Sequence, residues 1–469
     1  MILRFFLKLF LLTLLVSVPA FSQDKPKSKS QEERKAEFEK LRTKSLERMK
    51  NIKKGRGATG SIDEAIANPN GVKNLIARGD SLTSLNPRIK DVVELEKLDL
   101  SNNMLSDLPK ELALLENLKE LKINDNNFSK VPEVVYQLKN LEVLEMSGNQ
   151  LSGFGGDLSK LLNLRKLILT RNKITSVTGD FSKLTVLREI DLANNAITSI
   201  PDGILSNKSV SNLNLSHNSI STLSPKLFSL TTIVMLDLNN NKFRSIPKEI
   251  NQLQSLKQLN LSSNPIDSLS EEICNINSLN MLDISNTKIS QFPKSFGKMV
   301  SLRTLSINGN GLKQFPHSIF DLTSLQELNI DDNQISSIPV DIEKLTLLKN
   351  FSIKNNHLTE LPEGLTKIDN LRQMDFSGNK INAITNSIGK LTKLQTLVLN
   401  QNQISNLPQE ISSMVELRNF SISDNKISNI PAGIDNLKQL RVLTLKGNPI
   451  SDENKEQIKR MLPKARLIF

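Results

Sequence analysis

From Leu95 onward the apolar positions return on a period of 23 residues. In the first such unit they are Leu95, Leu98, Leu100, Leu105, Leu108, Leu112 and Leu115. Leu98 and Leu100 alternate with Asp99, the spacing of a short strand with one buried face. The other apolar positions recur every two to four residues, so no single helix or strand places them on one face. They fit the inward corners of one turn of a coil, stacked on the next turn. No unit could bury this set alone, and stability must come from neighbouring units. A polar column keeps the same period: Asn103, Asn126, Asn149 and onward to Asn448, broken only by Thr287. Position 448 lies fifteen periods after 103, which makes sixteen units in unbroken register. Such a period predicts a solenoid, whose function resides on an extended surface.

The asparagine column has a physical reason. Where each strand turns away from the sheet, buried backbone N–H and C=O groups need partners, and an inward amide supplies both donors and an acceptor. The column should therefore link adjacent coils into a ladder, with a weaker rung at Thr287. Proline follows the fifth apolar position in ten of the sixteen units, as at Pro109, Pro247 and Pro408. Proline has no N–H and fixes φ, so the return arm is predicted to be extended or 3₁₀-like rather than a long α-helix.

These units, from about Ser61 to the C-terminus, resemble the leucine-rich repeat family in its 23-residue form. The resemblance implies an α/β solenoid: a horseshoe with a parallel concave sheet and short 3₁₀ or extended convex segments. At about 4.8 Å per strand the sheet should run roughly 75–80 Å along its arc. The ends narrow the likeness. Ser61-Ile62-Asp63-Glu64-Ala65-Ile66 reads as a capped helix stopped by Asn68-Pro69, and a degenerate unit follows with Leu75, Ala77, Asp80, Leu82 and Leu85. At the other end Asn448-Pro449-Ile450 leads to an amphipathic helix, Asp452 to Leu462, then Pro463 and an apolar strand, Arg466 to Phe469. Residues 61–92 are thus an N-terminal cap, 93–448 the repeats and 449–469 a C-terminal cap. The whole is similar to exported leucine-rich repeat proteins of spirochaetes.

The N-terminus reads as an export signal. Arg4 and Lys8 precede an apolar run from Leu9 to Val18, and Ala20 and Ser22 suit cleavage before Gln23. The run is about half of a membrane span, so the mature chain is expected to lack a transmembrane segment. Residues 23–60 hold thirteen Lys or Arg against six Asp or Glu, a basic arm that is either a solvated tether or a partly formed helix. Cys274 is the single cysteine, which rules out an internal disulfide and fits a bacterial envelope or secreted protein better than an animal ectodomain.

The formal charge of +12 needs locating. The signal and the arm carry most of it. The three outward strand positions of each unit, such as Lys97, Asp99 and Ser101, hold ten acids and five bases over the sixteen units. Units five to eleven contain Glu189, Asp191, Asp237, Asp283, Glu327 and Asp331, with no Lys or Arg. Within them the central column reads Asp191, Asn214, Asp237, Asn260, Asp283, flanked by Met235 and Met281. The candidate ligand-binding strip is this set together with Glu327 and Asp331. It suits a basic or polar extended partner, although aspartate after the second strand leucine is also common in the family.

No catalytic constellation is visible. His217, His317 and His357 occupy different positions of separate units, and neither a phosphate-cradling glycine loop nor a Ser/His/Asp arrangement is present. No metal site and no cofactor is expected. With no Trp and only Tyr136, affinity per contact should be modest, because hot spots favour Trp, Tyr and Arg. The function expected is a non-enzymatic, exported, monomeric protein-binding module. Its concave face would dock a protein partner, as an adhesin at a host or cell surface or as a periplasmic scaffold. The alternative is an envelope-polymer or polyanion binder acting through the basic arm. Nucleic acid is not an expected partner, and the final location is the periplasm, the outer surface or the medium.

Overall fold

The computed structural model describes residues 61–469, and the segments expected to be an export signal and a basic arm lie outside the described residues. Residues 61–469 form one compact unit. Eighteen short strands make one parallel sheet, each paired in register with its neighbours. The first, Asn74–Ile76, pairs with Lys97–Asp99, and the last, Arg466–Ile468, pairs with Val442–Thr444. The sheet is open rather than closed into a barrel and spans about 80 Å at the usual strand spacing. The horseshoe architecture expected from the repeats is present.

Most strands bury their central leucine or equivalent and half-expose the two flanking residues, as in Met235–Asp237. One hydrophobic core runs the length of the coil beneath the sheet, from Ile62 to Leu462. The return arms are 3₁₀ helices of three to five residues, such as Lys110–Leu114 and Lys248–Gln252. Proline is the residue just before eight of them, for example Pro109, Pro247 and Pro408. Where proline is missing, Ser224 and Thr385 use their hydroxyls to accept the N–H two residues on. Two arms before the C-terminal cap differ: the one over residues 180–184 holds turns only, and Asp202–Leu205 is a single α-helical turn. There Asn207 turns inward, donating to the Phe181 and Leu184 carbonyls and accepting from the Ser209 and Val210 N–H groups.

The asparagine ladder is present. Asn241 Nδ2 donates to Leu215 O of the preceding coil (3.0 Å) and to Leu238 O of its own (3.1 Å), while its Oδ1 accepts from Ile220 N (2.9 Å). Thr287 breaks this pattern. Its hydroxyl reaches Ile284 O and, in the next coil, Asn310 Oδ1, but makes no bond to the preceding coil. The residue before each ladder asparagine is left-handed, for example Asn102 (φ 57°), Asn240 (φ 50°) and Gly148 (φ 66°). This tight turn lets the strand leave the sheet, and the asparagine, aspartate and glycine found there are the residues that tolerate it.

The ends are covered. Ser61 caps the helix Ile62–Ala67 by accepting from Glu64 N, and Ser451 does the same for Asp452–Met461 by accepting from Asn454 N. The convex side of the third and fourth units is distinct: Gly153–Phe154 and Ser176–Val177 form a separate two-stranded sheet. Tyr136 is buried beside it, its hydroxyl donating to Gly155 O, and its ring meets Phe154, which in turn meets Phe181.

Candidate functional site

The candidate strip lies on the concave sheet as five successive rungs. Asp191 pairs in register with Asn214, Asn214 with Asp237, Asp237 with Asn260, and Asn260 with Asp283. An amide therefore stands between each pair of carboxylates. Met235 and Met281 are brought to the two sides of Gln258, whose Oε1 is shielded from solvent without a hydrogen-bond donor.

Every member of the column spends one oxygen on the backbone. Oδ1 of Asp191, Asn214, Asp237, Asn260 and Asp283 accepts the N–H two residues on, at 2.9–3.1 Å. This Asx turn closes each strand. It explains the residue type, because Asp and Asn have an acceptor at that reach and hold the bond better than a hydroxyl, but it does not explain charge. Asn214 and Asn260 close the turn as Asp237 does.

Charge at these positions is unfavourable to the fold. Burial pushes the Asp237 carboxyl up to about 6, with the Asp283 and Asp191 carboxylates adding to the rise against the bonds from Asn239. Burial likewise raises Asp191 and Asp283. Among the described residues, no cation stands within ion-pair distance of these three. Acids nearer the N-terminal end are neutralised: Arg78 pairs with Asp99 (2.9 Å), Lys122 with Glu120 (2.8 Å) and Lys166 with Glu189 (3.0 Å).

Glu327 and Asp331 behave differently from the column. Glu327 is half-buried and accepts from Thr304 Oγ1 and Asn350 Nδ2 at 3.4 and 3.3 Å. Asp331 is buried, accepting from Ser352 Oγ (2.6 Å) and Lys354 N (2.7 Å) and pairing with Lys354 Nζ (3.3 Å). The structure thus places Asp331 inside the wall rather than at its surface. Outward counting of alternate strand positions misses this, because the third position already turns toward the ladder.

Other singled-out residues fall elsewhere. Cys274 is buried on a convex 3₁₀ helix, and burial pushes its thiol up. His217 and His357 are exposed beside the ladder, and His317 packs edge-on to Phe320. Among the described residues no group of three or more candidate ligands is placed to hold a metal, and no helix is long and apolar enough to cross a membrane. A row that alternate-position counting passes over is the residue just before each strand. It holds Arg165, Arg188, Arg303, Arg372, Arg418 and Arg441, half of the twelve arginines in residues 61–469.

Comparison with known proteins agrees with this geometry. Leucine-rich repeat family models match residues 93–151, 163–220, 185–243 and 208–266, and a leucine-rich repeat region model matches 244–338 and 334–466. A search of curated proteins finds no match. Among solved structures, a leucine-rich repeat protein of Leptospira interrogans is 33% identical, covering 88% of this chain and 100% of its own, with a TM-score of 0.74. The ectodomain of a plant membrane receptor kinase from Arabidopsis thaliana, solved in complex with Casparian strip integrity factor 2, is 26% identical with a TM-score of 0.56. That match covers 80% of this chain and half of the receptor chain. The functional domain of an internalin from Listeria monocytogenes (18% identity, 82% of this chain and 70% of its own, TM-score 0.53) shares the fold. A ladder of inward asparagines, a parallel concave sheet and a spirochaete counterpart matched over 88% of this chain together make it a member of the leucine-rich repeat family, of the spirochaete type.

Proposed function

We propose that this is an exported, non-enzymatic docking protein whose concave middle, from the strand of Asp191 to that of Asp283, takes an extended basic segment of a protein partner. The leucine-rich repeat fold is that of a protein-interaction module, and the proposal adds the place and the chemistry. One observation carries it: three aspartates hold charge where the fold needs only an acceptor. Each closes its turn as asparagine does in the alternate rungs, each is desolvated, and none has a cation within ion-pair distance. A partner's lysines or arginines would supply the missing countercharge, Met235 and Met281 would cover their aliphatic stems, and the shielded Gln258 amide oxygen would gain a donor. The Arabidopsis receptor ectodomain, solved with a bound factor, supports the use of such a coil for docking.

The test replaces charge without touching the turn. Asp191→Asn, Asp237→Asn and Asp283→Asn together keep every Oδ1 acceptor. Affinity of the full chain for a peptide of alternating lysine and serine should fall at least tenfold in the triple variant. Equal affinity in wild type and variant would remove the strip from the account.

A further inference from the structure

The row of residues preceding the strands carries the excess positive charge of the repeats. Beyond Glu142 the row contains no acid up to Arg441. Its densest part is the C-terminal end, where Arg372, Arg418 and Arg441 precede the strands Gln373–Asp375, Asn419–Ser421 and Val442–Thr444. Arg466 opens the terminal strand in register with Val442, one position on from the row, and its N–H is bonded to Arg441 O at 2.7 Å. The strands beside it, from Thr396–Val398 to Arg466–Ile468, hold no acid. Thr396, Asn419, Ser421 and Thr444 offer hydroxyls and amides there instead.

The cations are available and partly pre-arranged. Arg441 and Arg466 are exposed, and among the described residues neither has an ion-pair partner. Arg372 is held by the carbonyls of Asn370 and Leu371, both at 3.1 Å from one terminal nitrogen, which leaves the rest of its fork free. Arg418 has only Glu416 at 3.9 Å, and its Nε is shielded from water without a partner. A fork with an unused donor pair matches a carboxylate. Stacking of nucleobases is not provided for, since the chain has no Trp and its one Tyr is buried on the convex side.

We propose that Arg372, Arg418, Arg441 and Arg466 form a second docking patch for an acidic stretch of the same extended polypeptide. This rests on the reading of the acidic strip given above. The concave lining then recognises a charge-polar segment, basic against the middle coils and acidic against the last ones. From the strand of Asp283 to that of Ser421 is six rungs, about 29 Å at the usual spacing. An extended chain covers that in roughly nine residues, which sets the separation of the two blocks.

The experiment uses the full chain and three synthetic peptides. One has a triple-lysine block, a nine-residue neutral spacer and a triple-glutamate block, the second replaces the glutamates by glutamines, and the third interleaves the same charges. The block peptide should bind at least tenfold tighter than the other two. Arg441→Glu with Arg466→Glu should erase that advantage while leaving the glutamine peptide unchanged. Arg441→Gln, a milder change, should reduce it about threefold if the reversal disturbs the terminal strand. Equal binding of block and glutamine peptides by wild type would overturn the patch and leave the acidic strip standing. An advantage that survives the arginine variants would also overturn it, tracing the effect to residues 23–60. So would arginine-dependent binding of heparin together with indifference to the block peptide, because the patch would then be a polysaccharide site. Loss of glutamine-peptide binding in wild type, with glutamate-dependent binding retained, would instead remove the acidic strip and keep the patch.

Discussion

At the scale of the residue, one side-chain type serves two ends of each strand for different reasons. The ladder asparagines are buried or half-buried and bonded through both ends of the amide, so their loss is expensive. Asn241→Ala would leave the Ile220 N–H without its partner and strip Leu215 O and Leu238 O of one of their two amide donors, at about 1–3 kcal/mol for the group left unsatisfied, and chemical unfolding should show the drop. Thr287→Asn works in the opposite direction, giving the preceding coil the amide it lacks. It should raise stability by about 1 kcal/mol, read as a higher denaturation midpoint with an unchanged slope. The Asx column at the other end needs its oxygen but not its charge. Asp237 has a folded pKa raised from 3.8 to about 6, so its contribution to stability is fully present below about 4 and lost as pH rises through about 6. Asp237→Asn escapes this loss. The variant should match wild type near pH 4 and exceed it on the order of 2 kcal/mol by pH 7.5, measured by denaturation at both pH values. A variant that is less stable at neutral pH would show that the carboxylate is bonded in a way the fold requires.

At the scale of the element, the 23-residue pattern announced nearly everything that depends on period alone. Strand, ladder and 3₁₀ arm all follow from Leu98, Asn103 and Pro109 and their repeats. The left-handed residue before the ladder was equally available, as a column rich in Asn, Asp and Gly, but it has no hydrophobic signature and a reading by apolar period passes over it. Its consequence is visible at Gly148, where an added Cβ would meet Asp125 Oδ1 at 2.1 Å. That carboxylate reaches across the glycine to Arg171, two coils away, at 2.9 Å. Gly148→Ala should therefore strain the turn and displace Asp125, lowering the melting temperature by a few degrees, whereas Gly71→Ala has open space about its Cβ and only its positive φ to resist. The position of Asp331 was not legible for a related reason. Alternation places it outward, but the chain has begun its left-handed exit by then, and the side chain is drawn into the wall by Lys354 and Ser352.

At the scale of the whole coil, charge is segregated along the arc rather than mixed. The first units neutralise their own acids, the middle leaves three unneutralised, and the last carry arginines beside four strands without an acid. The composition, +12 overall, conceals this, since it averages residues 1–60 with two flanks of a sheet. Counting the outward strand positions recovered the acidic middle, and missed the arginine row because that row sits one residue ahead of the strands. The export reading belongs to this scale too: N-terminal sequencing of the native protein should begin at Gln23, and a retained Met1 would contradict it. The proposed docking function rests on desolvated, unneutralised aspartates of the concave face awaiting a basic partner. Its most direct measurement is the affinity of a lysine–serine peptide between pH 5 and 8, for wild type and for the triple aspartate-to-asparagine variant. Wild-type affinity should fall as pH drops through about 6, where Asp237 takes up its proton, while the variant stays weak and flat. A wild-type affinity that is independent of pH, or a variant that follows the same curve, would contradict it.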